Sequence, residues 1–266
     1  MSQFFIPILI VPLMLGAQTD LPELVTDRPD QTESASVVSP GWIQVETGIL
    51  YERETFRKGG FTSRTRTLSY PTTLVRIGLI RPLELRLTGQ WTMETTTSNP
   101  SPFVISGGEK TTQGISGVGV GGKFRVTSQR EWIPETAVVA HLEPAAPASE
   151  GGERGWVSRL LLATGHDVSD RLGLSWNIGG EWWSEGSGGS LLYTLALGGD
   201  LTRNLGGFVE VFGDVSRQSG TTLQFDAGLT HLVGSNLQLD ASAGFGTAGD
   251  TPGWFLSAGL SYRFRR

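Results

Sequence analysis

The 266-residue chain is long enough for one large domain or two ordinary ones, and it carries 37 Gly, 13 Pro, 8 Trp and 3 His with no Cys. The lack of cysteine excludes disulfide scaffolds, thiol catalysis and Cys-ligated zinc or iron–sulfur sites, and a formal net charge of -5 with scattered basic residues argues against a nucleic-acid binder. With 38% apolar and 18% charged residues the composition is that of a folded protein, yet after residue 20 no apolar run approaches the roughly 20 residues of a membrane helix.

The apolar stretch Phe4 to Leu15, followed by Leu15-Gly16-Ala17, has the length of a secretory core and is too short to cross a bilayer as a helix. It predicts a signal peptide over 1–17, cleaved after Ala17. Pro7 and Pro12 and the lack of an early Lys or Arg leave a buried N-terminal strand or an anchor as the alternative. No Cys follows, so a lipoprotein is excluded.

From Trp42 onward apolar and polar residues alternate with period two. In 83–94, Leu83, Leu85, Leu87, Trp91 and Met93 share one face, while Glu84, Arg86, Thr88, Gln90, Thr92 and Glu94 take the other. A pleated strand separates those sets and a helix mixes them. Segments 171–183, 237–244 and 254–264 repeat the pattern. The expected strands are 42–53, 67–79, 83–94, 114–126, 131–142, 156–166, 171–183, 190–200, 205–214, 221–232, 237–245 and 254–264, about twelve of roughly ten residues, as in a membrane barrel.

The connections 54–66, 95–113, 143–155, 184–189, 215–220 and 246–253 are mostly longer and rich in Gly, Ser, Thr and Pro. Those at 80–82, 127–130, 167–170, 201–204 and 233–236 are tight turns. Strict alternation of the two classes predicts an all-β, up-and-down antiparallel transmembrane β-barrel over 41–266, with both termini on the periplasmic side. Greek-key sandwiches give no reason for it.

The polar face carries Glu46, Arg76, Glu84, Arg86, Lys123, Arg125, Glu181, Glu210, Asp240 and Arg263. Facing lipid, each cation would cost about 2–4 kcal/mol near the midplane; facing a wet lumen, opposite charges compensate one another. Trp42, Tyr51, Trp91, Trp132, Trp156, Trp182, Tyr193, Trp254 and Tyr262 fall at strand ends, as interfacial girdles require, although strands are enriched in aromatics anyway. Both observations favour apolar-outside over a soluble, lipocalin-like barrel. The lumen charges are either a selectivity element, like the charge rings of pores, or salt bridges that help close the barrel. Gly117, Gly119 and Gly121 form an inward row that makes room for another segment; the stretch lacks the strand–loop–helix setting of a phosphate loop.

Residues 18–40 precede the first strand and are dense in Asp, Glu, Thr, Ser and Pro. Extended, these 23 residues reach about 75 Å, far more than an apolar band about 25 Å tall. They form either a plug, with Asp27, Arg28, Asp30 and Glu33 in the lumen and the acids meeting Arg76, Arg86 or Arg125, or a disordered periplasmic tail. His141, His166 and His231 are the best candidates for hydrolase chemistry. His166-Asp167-Val168-Ser169 reads as a solvated short turn, however, and no pair of His with a carboxylate has metal-site spacing. No catalytic, cofactor or metal site is expected.

The stretch Thr26-Asp27-Arg28-Pro29-Asp30-Gln31-Thr32-Glu33-Ser34, then Trp42, Gln44, Glu46 and Gly48, resembles the outer-membrane barrels of the MetA-pathway of phenol degradation family, also labelled "transporter". The likeness runs on through Tyr70-Pro71-Thr72, Arg76-Ile77-Gly78-Leu79, Leu83 to Leu87, Gly117-Val118-Gly119, Glu210, Asp226 with Gly228, and Leu237 to Asp240, ending at Gly259 to Phe264. It covers about 24–264. Val120 stands where the family often has an acid, and Arg265-Arg266 follow the closing aromatic. The resemblance implies passive passage of small, hydrophobic or aromatic molecules across the outer membrane of a Gram-negative-type envelope. The implied partners are the lipid bilayer, a small-molecule solute and the outer-membrane assembly machinery. A non-conducting structural or surface-interaction barrel is the alternative.

Overall fold

The computed structural model describes residues 22–58, 61–99, 108–144, 155–184, 188–217, 220–248 and 253–266. The expected signal peptide at 1–17 lies outside the described residues.

The chain forms β1 (Trp42–Lys58), β2 (Phe61–Ile80), β3 (Leu83–Ser98), β4 (Gly108–Thr127), β5 (Glu135–Pro144), β6 (Trp156–Ser169), β7 (Leu172–Trp183), β8 (Gly189–Asp200), β9 (Leu205–Ser216), β10 (Gly220–Thr221), β11 (Leu223–Val233), β12 (Leu237–Ala248) and β13 (Gly253–Arg265). Each long strand pairs antiparallel with its neighbours, and β1 closes the ring on β13 from Trp42↔Arg265 to Glu54↔Gly253. The two-residue β10 pairs only with the end of β9, so the ring has twelve staves. Closure satisfies the backbone ladder without an edge, the condition for crossing hydrocarbon.

The barrel is inside-out relative to a soluble one. Leu87, Val120, Leu160, Ile178, Leu195, Val209, Leu229, Leu239 and Leu256 are exposed on its exterior, while Glu46, Arg76, Glu84, Arg86 and Lys123 are buried within. The only apolar cluster of buried residues among those described is Val139, Leu161 and Ala163, with Leu192 against it. Aromatic pairs Tyr51–Trp254 and Tyr70–Trp91 sit toward the long-loop end, and Tyr262–Phe264 toward the short-turn end. This is the exterior of an outer-membrane barrel. Leu195 lies mid-strand on β8, 44% exposed. Leu195→Arg is therefore expected to destabilise the folded barrel by about 2–4 kcal/mol, read from urea unfolding in phospholipid vesicles.

Three expectations are corrected. The described residues of 54–66 and 95–113 are almost all strand, not loop: β1 to β4 continue the ladder beyond the expected ends. Their Thr, Ser and charged residues are polar on both faces, so no apolar period marks them. β-branched Thr nonetheless favours the pleat, and Thr pairs bridge the strands (Thr65–Thr96 at 3.2 Å, Thr95–Thr111 at 3.1 Å). At 20 residues, β2 rises about 65 Å along its axis, well beyond the apolar band. Second, β5 begins at Glu135 rather than at 131. Pro134 has no N–H for the ladder, and Glu131 (φ 48°) turns the chain within an Arg130↔Ile133 bridge, leaving Trp132 90% exposed. Third, His166 and Asp167 belong to β6, paired with Leu174 and Gly173, and the turn comes later.

Candidate functional site: the lumen and its inner segment

Residues 22–41 run inside the barrel before β1. Arg263 receives the chain at the short-turn end, its guanidinium donating to the carbonyls of Pro22 (2.7 Å) and Glu23 (2.8 Å) and lying 5.1 Å over the Trp42 ring. Trp42 thus packs with a lumen arginine instead of joining a girdle. The segment climbs along β12 and β13, where Gln238 donates to the Thr26 hydroxyl and Arg28 pairs with Asp240 at 3.0 Å. It crosses to β9, β8 and β7, where Glu210 accepts from the Gln31 N–H (2.8 Å) and the Thr32 hydroxyl, and Asn177 both accepts from the Glu33 N–H and donates to its carbonyl. It returns past β4 and β3, where Lys123 donates to the Ser34 carbonyl (2.7 Å) and Glu84 accepts from the Val38 N–H (2.7 Å).

Asp27 is the centre of this arrangement. Its carboxylate lies 3.1 Å from Arg76, 2.6 Å from Arg86 and 2.9 Å from Lys123. It also accepts from the Ser34 N–H and hydroxyl, which closes residues 27–34 into a loop. Burial raises the Asp27 pKa, but Arg76, Lys123 and Arg86 together hold it well below the usual carboxylate range. The same cations serve the wall: Arg76 pairs with Glu46 (3.2 Å) and Glu84 (2.8 Å), and Arg86 with Glu84 (3.0 Å) and Glu33 (2.7 Å). Apart from Glu33 these groups are nearly inaccessible, so each charge depends on the others for compensation.

Close approach explains particular glycines. A Cβ at Gly48 or Gly259 would collide with the Arg28 guanidinium, which lies against the wall there. A Cβ at Gly121 would meet the His141 ring, and that ring accepts a hydrogen bond from Arg86 Nε at 3.0 Å.

All ten expected lumen charges lie on the inner face or its rim, but they do not form one set. Arg125 does not reach the segment: it pairs with Glu135 (3.4 Å) and donates to the Arg81 carbonyl near the rim. Glu181 pairs with Arg159. Lys123 takes the place foreseen for Arg125. Asn177, Gln238, Thr194 and His141 were not foreseen as contacts, and their only signal was an inward position on an alternating strand. His231 pairs across to Leu239 on β12, away from the other two histidines.

Across the lumen from the cations stands a second group. Glu210 and Asp226 are partners in the β9–β11 register, and Asp30 lies beside Glu210. Burial, then the Glu210 charge, push the Asp30 carboxyl well above its usual pKa.

Open space remains on both sides of the segment. Toward the long loops lie a cavity of about 580 Å³, bounded by Asp30, Gln31, Leu161, Trp183 and Phe212, and one of about 320 Å³ beside Glu33, His141 and Arg159. Toward the short turns a cavity of about 790 Å³ is bounded by Glu23, Asp30, Phe208 and Gln238. Asp30 borders the upper and the lower space.

The sequence profile described as "Putative MetA-pathway of phenol degradation" matches residues 26–264. No curated protein matches the chain. Among solved structures, an outer membrane channel from Pseudomonas putida F1 is 13% identical, with a TM-score of 0.64 over 89% of this chain and 100% of that one. The translocator domain of the autotransporter NalP from Neisseria meningitidis is 14% identical, with a TM-score of 0.58 over 84% and 88%. The transport unit of the autotransporter AIDA-I from Escherichia coli is 10% identical, with a TM-score of 0.57 over 90% and 93%. At such identities the likeness speaks to the fold, a closed outer-membrane barrel.

Proposed function

The chain belongs to the family described as MetA-pathway of phenol degradation, and we propose that it is an outer-membrane channel for passive passage of small molecules, with residues 22–41 acting as a plug. The observation that carries this reading is the unfilled interior. The wall and segment leave cavities of about 580 Å³ and 790 Å³ that share Asp30 as a border. A barrel built only to hold its own shape gains nothing from such space, because an interior packed to normal density is more stable. The resemblance to a solved outer membrane channel supports the same reading. The buried Arg, Lys and Glu groups of β1 to β4 serve here as the plug's mooring, and the cavity-lining groups as the surface a solute meets.

The moored segment favours a second reading, a non-conducting structural barrel. Refolded full-length protein in a planar bilayer separates the two. Discrete conductance steps with swelling of solute-loaded liposomes are expected for the channel, and an electrically silent, solute-tight barrel overturns it.

A further inference from the structure

We propose that the part of the lumen at Asp30, Glu210 and Asp226 is a binding site for an organic monocation, an ammonium group carried on an apolar body of aromatic size. The inference extends the channel reading by naming a class of solute, but the binding itself does not depend on conduction.

The first observation is a group of carboxyls with no cation beside it. Seven carboxylates of the lumen have cations: Asp27, Glu33, Glu46 and Glu84 share Arg76, Arg86 and Lys123, Asp240 has Arg28, Glu135 has Arg125 and Glu181 has Arg159. No ion pair among the described residues serves Asp30, Glu210 or Asp226. Glu210 takes only neutral donors, the Gln31 N–H and the Thr32 hydroxyl. Asp226 is 6% exposed, and both of its carboxylate oxygens are buried without a hydrogen-bond partner. A polar group in that condition costs free energy until a partner arrives.

The second observation is aromatic. On β9, Phe208 and Phe212 flank Glu210 with their side chains on the same inner face. Phe212 meets Phe255 edge-on, with centroids 6.3 Å apart. Phe255 lies over Gly244, where an added Cβ would meet both that ring and the Asp226 Cβ. Ring faces beside carboxylates are the two components of ammonium recognition, one through the quadrupole and the other through charge.

The third is position. Phe212 and Asp30 border the upper cavity, and Phe208 and Asp30 the lower, so Asp30 stands where the two spaces meet, with Glu210 behind it on the Gln31 N–H and the Thr32 hydroxyl. Among the described residues no group of three acidic or histidine side chains is gathered as a metal ion requires, and the rings beside the acids suit an organic cation.

The test is calorimetric titration of refolded full-length protein in detergent at pH 7 with benzylammonium, benzyl alcohol and benzoate. Benzylammonium is expected to bind at least ten-fold tighter than benzyl alcohol, and benzoate not measurably. Asp226→Asn and Asp30→Asn should each remove most of that preference while the heat-modifiable band of the folded barrel stays unchanged. Asp30 is on the segment rather than the wall, so Asp30→Asn remains decisive if the other variant does not fold. Equal affinity for the three probes, no binding of benzylammonium, or a preference that survives both substitutions overturns the site. A silent bilayer trace with intact benzylammonium binding refutes the channel and leaves the site standing; a conducting barrel indifferent to probe charge does the reverse.

Discussion

Replacing Asp27 by alanine is expected to loosen the inner segment by about 3–5 kcal/mol, the usual cost of removing one member of a buried ionic network. The carboxylate is 3% exposed and lies within 3.1 Å of three cations. Without it, Arg76 keeps Glu46 and Glu84, and Arg86 keeps Glu84 and Glu33, but Lys123 is left with Glu33 at 3.4 Å and the Ser34 oxygens. The loop-closing bonds from Ser34 are lost as well. Amide exchange of residues 24–38 should accelerate while the strands stay protected, which distinguishes release of the segment from unfolding of the barrel. The pH dependence has a definite sign. Because the folded pKa of Asp27 is depressed, its contribution is fully present above the ordinary aspartate value of about 4 and is lost only as pH falls through the depressed value. Wild-type exchange should therefore stay slow through mildly acidic conditions, and the Asp27→Ala variant should exchange fast throughout.

The strand alternation was legible because lipid and lumen impose opposite demands on successive residues, and any stave crossing the apolar band must show it. The signal fails where the demand ceases. Above the band, Thr62, Thr65, Thr67, Thr95, Thr96 and Thr97 meet water on both faces, so β2 and β3 run on without period. It fails differently on β5 and β6, where Val139 and Leu161 are apolar yet inward, packed on one another. For the lumen, alternation gives the face a residue occupies but not its height, which follows from the register of neighbouring strands. Lys123 and Arg125 are indistinguishable by that rule. One pleat separates them, and it puts Lys123 against Asp27 and Arg125 at the rim beside Arg81. The pairing of Asp27 with Lys123 spans 96 residues of sequence, a separation over which local pattern carries no information. The acids opposite were partly visible, since Glu210 reads as inward, but the want of a cation at Asp226 emerges only when every nearby strand is in place.

Deleting residues 22–38 is expected to raise single-channel conductance several-fold and to shift ion selectivity toward anions. The first effect follows from volume, because the segment stands between the upper and lower cavities. The second follows from charge: the deletion removes Glu23, Asp27, Asp30 and Glu33 against Arg28 alone, so the formal charge of the lumen changes by +3. It also strips Arg76, Arg86 and Lys123 of Asp27 and Glu33, leaving cations on the wall that Glu46 and Glu84 do not fully offset. Reversal potentials in a salt gradient measure this shift directly, and lower salt should enlarge it because screening weakens. The two readouts divide the explanations. A segment that merely braces the wall would, when removed, lower barrel stability and leave conductance small, whereas a plug would let current rise in a barrel that still migrates as folded. Unchanged conductance and unchanged selectivity in that folded barrel would mean the route for ions avoids the segment altogether, and with it the cavities that meet at Asp30.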